Sequence, residues 1–365
     1  MKVLHVNRNY LGTTLHQTMV EHLDSLGIES QVFVPVCRAE IATIKPNKNV
    51  IVSDCFNNVD RYFFDLKQFK IIRAIENNVN VDSFDIIHAY TLFTDGNAAM
   101  KLAKKYNKPF VVAVRNTDVN DFFAKLFYLR GRGIKIMRKA RKIFFLSETY
   151  RKQVFEKYVP EKYHEELLAK TIVLPNGIDD FWFTHAPNVE KKIDRPVKLV
   201  YAGKIDRNKN IPTIQNAMDV LRDKGIESIL TVIGKIVDQS EFDKIKDDSR
   251  IMYLPAMPKE KLIEQYRAHD IFVMPSFTES FGLVYAEALS QRLPVVYSKG
   301  QGFDGQFEEG VVGFHCDAYN TLDVAAAIEK VVMDYERIKT SCVASSLRFK
   351  WNDICEKYKS LYENM

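Results

Sequence analysis

Apolar residues follow two spacings along this chain of 365 residues. Short apolar runs, rich in Val and Ile, occur at 2–6, 28–36, 49–53, 84–89, 109–114, 142–146 and 171–174. Between most of them, apolar positions recur at three- and four-residue intervals, at 13–26, 61–77, 96–106 and 121–139. The first spacing predicts buried strands and the second predicts helices. The second half repeats the scheme, with strands expected at 197–202, 227–234, 250–254, 270–274 and 294–298. Its helices are expected at 211–224, 259–267, from 282 onward, at 321–335 and at 341–365. Strand alternating with helix predicts an α/β protein whose parallel sheets are covered on both faces. The length predicts two domains. A polar connection with a charge run at 190–194 puts their boundary before Arg195-Pro196, giving domains at 1–190 and 195–345. Ligands of such sheets sit beyond the carboxyl ends of the strands. In the first half those ends lead into 7–14, 88–95 and 115–120.

The stretch M-P-S-F-T-E-S-F-G-L-V-Y-A-E-A-L at 274–289 carries the most chemistry. A strand ends, a loop carries Ser276 to Ser280, and a helix opens near Gly282. The unpaired N–H groups of a helix start attract anions, phosphate above all, and Gly282 removes a side chain that would block close approach. Glu279 precedes this helix and Glu287 lies within it. Eight residues of helix rise about 12 Å, roughly the span from sugar to sugar across a diphosphate. Glu279 is therefore a candidate acceptor for hydroxyls of a transferred sugar, and Glu287 for those of a ribose. Taken alone, each glutamate reads more simply as a helix cap or a solvated helix residue.

This stretch resembles the E-x7-E signature of retaining, nucleotide-sugar-dependent glycosyltransferases of family 4. The resemblance implies a GT-B fold of two facing Rossmann-like domains, with a C-terminal helix at 346–365 packing back on the first domain. Phe349, Trp351, Ile354, Tyr358 and Leu361 are the residues expected to pack there. It also implies a nucleotide-diphosphate sugar as donor, UDP or GDP being expected, held by Ser280, Phe281, Gly282, Leu283 and the two glutamates. G-K-I-D-R-N-K at 203–209 is similar to the family's G-R-x-x-x-x-K, whose cations bind the pyrophosphate. Gly203, Lys204 and Lys209 take those places, Lys204 without the bidentate fork of Arg. Backbone near Met257 is expected to face the nucleobase.

The first half matches more loosely. One glycine, Gly12, stands where the family often has a pair, and the absence of G-x-G-x-x-G argues against a dinucleotide dehydrogenase. I-I-H-A-Y at 86–90 is similar to the family's I-I-H-A-H; His88 is an acceptor-site candidate or a structural hydrogen-bonder. V-A-V-R-N-T-D at 112–118 aligns with T-V-H-G-x-D. Arg115 replaces a His beside the reactive carbon and cannot act as a base; it is expected to hold a carboxylate or phosphate. Asn116 and Asp118 are the expected acceptor contacts, and P-N-G-I-D at 175–179 resembles the turn that closes the first domain.

Composition narrows the rest. The net charge of +5 implies no general affinity for nucleic acid. No apolar run reaches the ~18 residues of a membrane span, and the five scattered cysteines read as reduced thiols of a cytoplasmic protein. Eight basic residues between Lys125 and Lys142, without an acid and interleaved with Phe122, Phe123, Leu126 and Phe127, suggest either a solvated face or peripheral contact with an anionic membrane. No D-x-D stands at a strand end, so neither metal nor cofactor is expected. The reading is a metal-independent, retaining hexosyltransferase acting on a glycan or lipid-linked acceptor, in cell-surface polysaccharide or lipid-linked glycan synthesis. Its rivals are a sugar-nucleotide epimerase and a non-catalytic sugar-nucleotide-binding subunit.

Overall fold

The apolar runs of the first half become seven parallel strands in the computed structural model, which describes residues 1–37, 48–187, 192–193 and 195–365. They are β1 (Lys2–Val6), β2 (Glu29–Cys37), β3 (Val50–Phe56), β4 (Ile86–Ala89), β5 (Phe110–Val114), β6 (Lys142–Phe145) and β7 (Thr171–Val173), in the order β3-β2-β1-β4-β5-β6-β7. β4 and β5 are buried along their whole length, as strands sandwiched between helices are. Six strands form a second parallel sheet: β8 (Val197–Ala202), β9 (Ser228–Ile233), β10 (Ile251–Leu254), β11 (Ile271–Met274), β12 (Val295–Ser298) and β13 (Gly313–Cys316), ordered β10-β9-β8-β11-β12-β13. In each sheet the strand order reverses once, between β1 and β4 and between β8 and β11. Such a reversal opens a crevice at the carboxyl ends of the two strands. The segments that leave those ends are 7–12 and 90–95 in one sheet, and 203–210 and 275–282 in the other.

The chain divides into two compact units, Met1–Gly177 with Trp351–Met365, and Ile178–Lys350. The first division falls at Gly177, well before 190–195. Ile178 bridges to Lys350, and its N–H donates to the Phe349 carbonyl at 2.9 Å, so 178–187 is tied to the second unit. The charge run at 190–194 lies largely outside the described residues. The closing helix is shorter than the expected 341–365. A helix over Tyr335–Ser346 belongs to the second unit, a tight turn follows at Leu347–Phe349, and a separate helix covers Trp351–Glu363. Trp351, Ile354 and Tyr358 pack in the first unit as expected, with Cys355 and Tyr362, against Val3, Met19, Leu23, Val111 and Phe144. Phe349 does not; it packs with Phe281, Phe303 and Phe307 in the second unit.

Two further expectations are corrected. The segment 121–139 is not one helix: a wide turn at Asp118–Phe123 and a tight one at Phe127–Leu129 precede a helix at Arg130–Lys139. Gly133 of that helix lies so close to Phe93 that a Cβ would sit 2.7 Å from its ring. β13 was not foreseen, because its four residues, Gly-Phe-His-Cys, include no apolar run.

Candidate active site

In the second unit the two motifs leave neighbouring strands at the reversal point and are joined by hydrogen bonds. The Asn208 amide donates to the Thr278 carbonyl at 2.8 Å and accepts from the Thr278 N–H at 3.0 Å, while the Asn208 carbonyl accepts from Phe277 N–H at 2.9 Å. Asn210, in a left-handed conformation, donates to the carbonyls of Pro275 and Ala318. Asp206 accepts from the Lys209 N–H at 3.1 Å. These contacts fix the Lys209 side chain beside Glu279, with Nζ 2.6 Å from Oε2 and both side chains largely buried. The other Glu279 oxygen accepts from Ser280 N–H at 3.0 Å. Lys204 is exposed at the end of β8, without an ion-pair partner among the described residues. Gly203 is held close to Tyr201, whose hydroxyl donates to the Lys204 carbonyl at 2.6 Å.

The helix that follows runs Leu283–Ser290, and no side chain caps its N-terminus. Gly282, which precedes it, has φ of +76°, and a Cβ there would stand 2.4 Å from the Tyr285 ring. Tyr285 in turn donates its hydroxyl to the Met274 carbonyl at 2.6 Å. The position thus requires glycine on two counts, backbone sign and space. The N–H groups of Leu283 and Val284 belong to the unpaired first turn, where the helix attracts anions. Glu287 lies one turn further on, half-buried. Burial chiefly, with the Asp179 carboxylate in support, pushes its pKa up to about 7, and Lys259 opposes the shift. No donor to its carboxylate is present among the described residues. Met257 is half-buried in the loop after β10.

Asp206, Asn208, Asn210 and Gln301, whose side-chain oxygen accepts the Glu279 N–H at 3.0 Å, were not singled out from sequence. Asp206 and the two asparagines lie inside G-K-I-D-R-N-K-N itself. The glycine loop that carries Gln301 ends in Asp304, which with Glu309 and His315 forms a cluster of ligand atoms within 4.8 Å of one another. Those groups also serve the protein: Asp304 accepts from Gly300 N–H, and Glu309 from the Tyr297 hydroxyl and the His315 N–H.

In the first unit the expected acceptor residues have mostly internal partners. Asp118 is buried, and its two oxygens accept from the N–H groups of Leu92 (3.0 Å), Phe93 (3.2 Å) and Arg115 (2.9 Å). It ties the loop after β4 to the loop after β5. Burial raises its pKa to about 6 against those three donors. His88 is fully buried, its Nδ1 2.6 Å from the Tyr362 hydroxyl and its ring stacked on Tyr90 at 4.3 Å. It makes a structural hydrogen bond to the closing helix, in keeping with one of the two readings the sequence leaves open. Burial pushes the pKa values of His5 and His16 down to about 3 and holds His88 neutral as well. Arg115 donates to the Tyr90 carbonyl and the Asn176 side chain, both at 3.2 Å. The Asn116 amide donates to the Tyr150 hydroxyl at 2.9 Å. Gly12 has open space where a Cβ would stand.

Half of the basic run has partners within the unit, although most of its cations stay exposed. Lys125 pairs with Asp121, Arg132 with Asp65 and Arg138 with Glu166, while Arg130 donates to the Phe123 carbonyl. Phe122 stacks on Phe93 at 4.6 Å and Phe123 is fully buried. Among the described residues no helix is long and apolar enough to cross a membrane.

Two parallel sheets of seven and six strands, with an uncapped helix start and a lysine at the reversal point of the second, define a protein of the GT-B class. The sequence matches Glycosyltransferase Family 4 over 13–180 and Glycosyl transferases group 1 over 183–341. The chain is thus a GT-B, glycosyltransferase family 4-like protein, each half matching one of these two models. It is 32% identical to a D-inositol 3-phosphate glycosyltransferase of Pseudarthrobacter chlorophenolicus over 175 residues, 44% of this chain and 42% of that protein. It thus spans less than half the length of this relative. Glycogen synthase of Mycobacterium tuberculosis is 22% identical over 76% of this chain and 68% of its own. Among solved structures, sucrose-phosphate synthase of Thermosynechococcus elongatus superposes with a TM-score of 0.75 at 17% identity, covering 100% of this chain and 98% of that one. Anabaena HepE, solved in complex with UDP-glucose, gives 0.68 at 15% identity, with 100% of both chains covered.

Proposed function

We propose that this chain is a retaining glycosyltransferase that moves a sugar from a nucleoside-diphosphate sugar to a hydroxyl of a glycan or lipid-linked acceptor, without a metal ion. The observation that carries this reading is the joint placement of Lys209, Glu279 and the Gly282 helix start at the reversal point of the second sheet. UDP is favoured as the nucleotide because a GT-B neighbour was solved with UDP-glucose. The diphosphate sits over the first turn of Leu283–Ser290, near Lys204 and Lys209, and Glu287 accepts from the ribose hydroxyls. When the donor arrives, the Lys209 ammonium exchanges Glu279 for phosphate oxygens, and Glu279 turns to the hydroxyls of the sugar. The bond from the anomeric carbon to the diphosphate oxygen then breaks as the acceptor oxygen bonds to the same face. The acceptor proton passes to the departing phosphate. Negative charge develops on that phosphate, where preorganised cations and amides are most effective.

Calorimetry with UDP and GDP tests the site, and turnover of UDP-sugars with and without acceptor extracts tests the reaction. Lys209→Ala and Glu287→Ala should each weaken nucleotide binding by about ten- to a hundredfold, the worth of one charge-assisted contact. Unchanged affinity in both variants rules out the site. Donor consumption independent of acceptor favours an epimerase, and binding without any turnover favours a non-catalytic subunit. Loss of activity in EDTA, restored by manganese, contradicts the metal-independent mechanism and points to Asp304, Glu309 and His315.

A further inference from the structure

Exposed aromatic rings are concentrated on one face of the first unit. Tyr62 is 86% exposed, Phe63 59%, Phe69 58%, Phe127 72% and Tyr128 65%; only two other aromatic residues among the described ones, Tyr253 and Tyr319, are counted as exposed. The two segments that carry the five rings touch each other. Arg132, in the helix after Tyr128, pairs with Asp65 and lies 5.0 Å over the Phe64 ring, and Phe64 meets Phe122 edge-on at 6.4 Å. The exposure is not fraying, because the opposite face of the helix Phe64–Asn78 buries Ile71 and Ile75 in the core. Leu66, Phe69 and Arg73 stand three and four residues apart and share the outer face. Beside them opens a cavity of about 470 Å³, whose charged lining is Lys70, Arg73 and Asp60, the last already paired with Lys70, and whose apolar lining includes Leu66 and Phe69. Residues 59–73 and 121–135 contain eight basic and three acidic residues. The three acids, Asp60, Asp65 and Asp121, already carry Lys70, Arg132 and Lys125. Arg73 and Lys135 are exposed without an ion-pair partner among the described residues.

We propose that this face docks on an anionic lipid bilayer, its rings entering the headgroup layer and the cavity beside Arg73 receiving a lipid phosphate. Aromatic side chains with an apolar body are favoured at that depth, and cations around them add attraction to anionic lipid. The face overlaps the basic run read from sequence at Phe127, Tyr128 and Lys135, and extends it to Tyr62, Phe63, Phe69 and Arg73, which lie outside that run. The proposal stands whether or not the chain transfers sugar, because its test needs no turnover.

The test is sedimentation of the full chain with vesicles of phosphatidylcholine alone or mixed with phosphatidylglycerol, at low and high salt. Wild type should bind the mixed vesicles at low salt and release at high salt. The double variant Phe63→Ser/Phe69→Ser, and separately Arg73→Glu, should bind at least about tenfold more weakly. Met333→Ser, a change at an exposed apolar residue of the second unit, should bind as wild type does. Unchanged circular dichroism and melting temperature show that each variant folds. Equal binding to neutral vesicles, no binding at low salt, or full binding by both variants overturns the proposal. So does a concentration-dependent dimer, seen by ultracentrifugation, that the phenylalanine changes abolish while vesicles remain unbound; the face then joins two copies of this chain.

Discussion

The carboxyl edges of the two sheets are built alike but hold their polar groups differently. In the second unit, hydrogen bonds between 204–210 and 275–282 fix the backbone around an exposed Lys204, a largely buried Lys209–Glu279 pair and an uncapped helix start. In the first unit, the matching loops direct their chemistry inward. Asp118 binds three backbone N–H groups, His88 binds Tyr362, and Arg115 bridges Tyr90 to Asn176. A motif residue at a sheet edge therefore does not announce its task. Asp118 holds backbone of two loops, whereas Lys209 and Glu279 hold each other, and their pair must open before either meets a ligand.

The sharpest way to break this contrast is Asp118→Ala. It leaves two buried N–H groups and one part-buried N–H group without their acceptor, and each unsatisfied buried donor costs about 1–3 kcal/mol. Stability should fall by about 3–5 kcal/mol in urea unfolding. A normally stable variant with impaired turnover would instead make Asp118 an acceptor contact. Next is a pair of glycine changes. Gly282→Ala forces a side chain into left-handed backbone and against Tyr285, and should cost about 2–4 kcal/mol along with nucleotide affinity. Gly12→Ala enters open space and should leave stability within about 0.5 kcal/mol. If Gly12→Ala alone lowers nucleotide affinity, the first unit also meets the diphosphate. The smallest effect concerns pH. Glu287 must be ionised to accept from both ribose hydroxyls, and its pKa is raised to about 7. Nucleotide affinity should therefore rise by about tenfold from pH 6 to pH 8 in calorimetry, and Glu287→Gln should remove that slope. The same group affects the fold in the opposite sense. A carboxyl whose pKa is higher folded than unfolded contributes stability below the unfolded value, near 4.5, and loses it as pH rises through about 7.

The sheets were legible because buried parallel strands are nearly pure apolar runs, and those runs coincide with β1, β5, β8 and β11 to within a residue. The candidate residues of the second unit could be named together because they lie in two continuous motifs, which the fold joins through Asn208–Thr278 and Lys209–Glu279. What stayed hidden depends on contacts distant in sequence. Nothing near Asp118 reveals that Leu92 and Phe93 turn their N–H groups toward it, and nothing near His88 reveals Tyr362, 274 residues away. Phe122 and Phe127 look alike in sequence, yet one stacks on Phe93 and the other faces solvent. The unit boundary was misplaced because a charge run marks exposure, whereas the actual division depends on a bridge from Ile178 to Lys350.

The closing helix bears on how the polypeptide is made. Trp351, Ile354, Cys355, Tyr358 and Tyr362 cover one face of the first sheet, yet they leave the ribosome only after the whole of Ile178–Lys350. Domains fold as units while synthesis proceeds, so the unit begun first is completed last. Throughout that interval Val3, Ile86, Val111 and Phe144 lack their cover, and a nascent chain halted near residue 350 presents a finished second unit beside an unfinished first one. A chaperone that recognises apolar sheet surface would find its target there, and a ribosome-stalling series read by protease protection would show the first unit becoming resistant only when the final helix emerges.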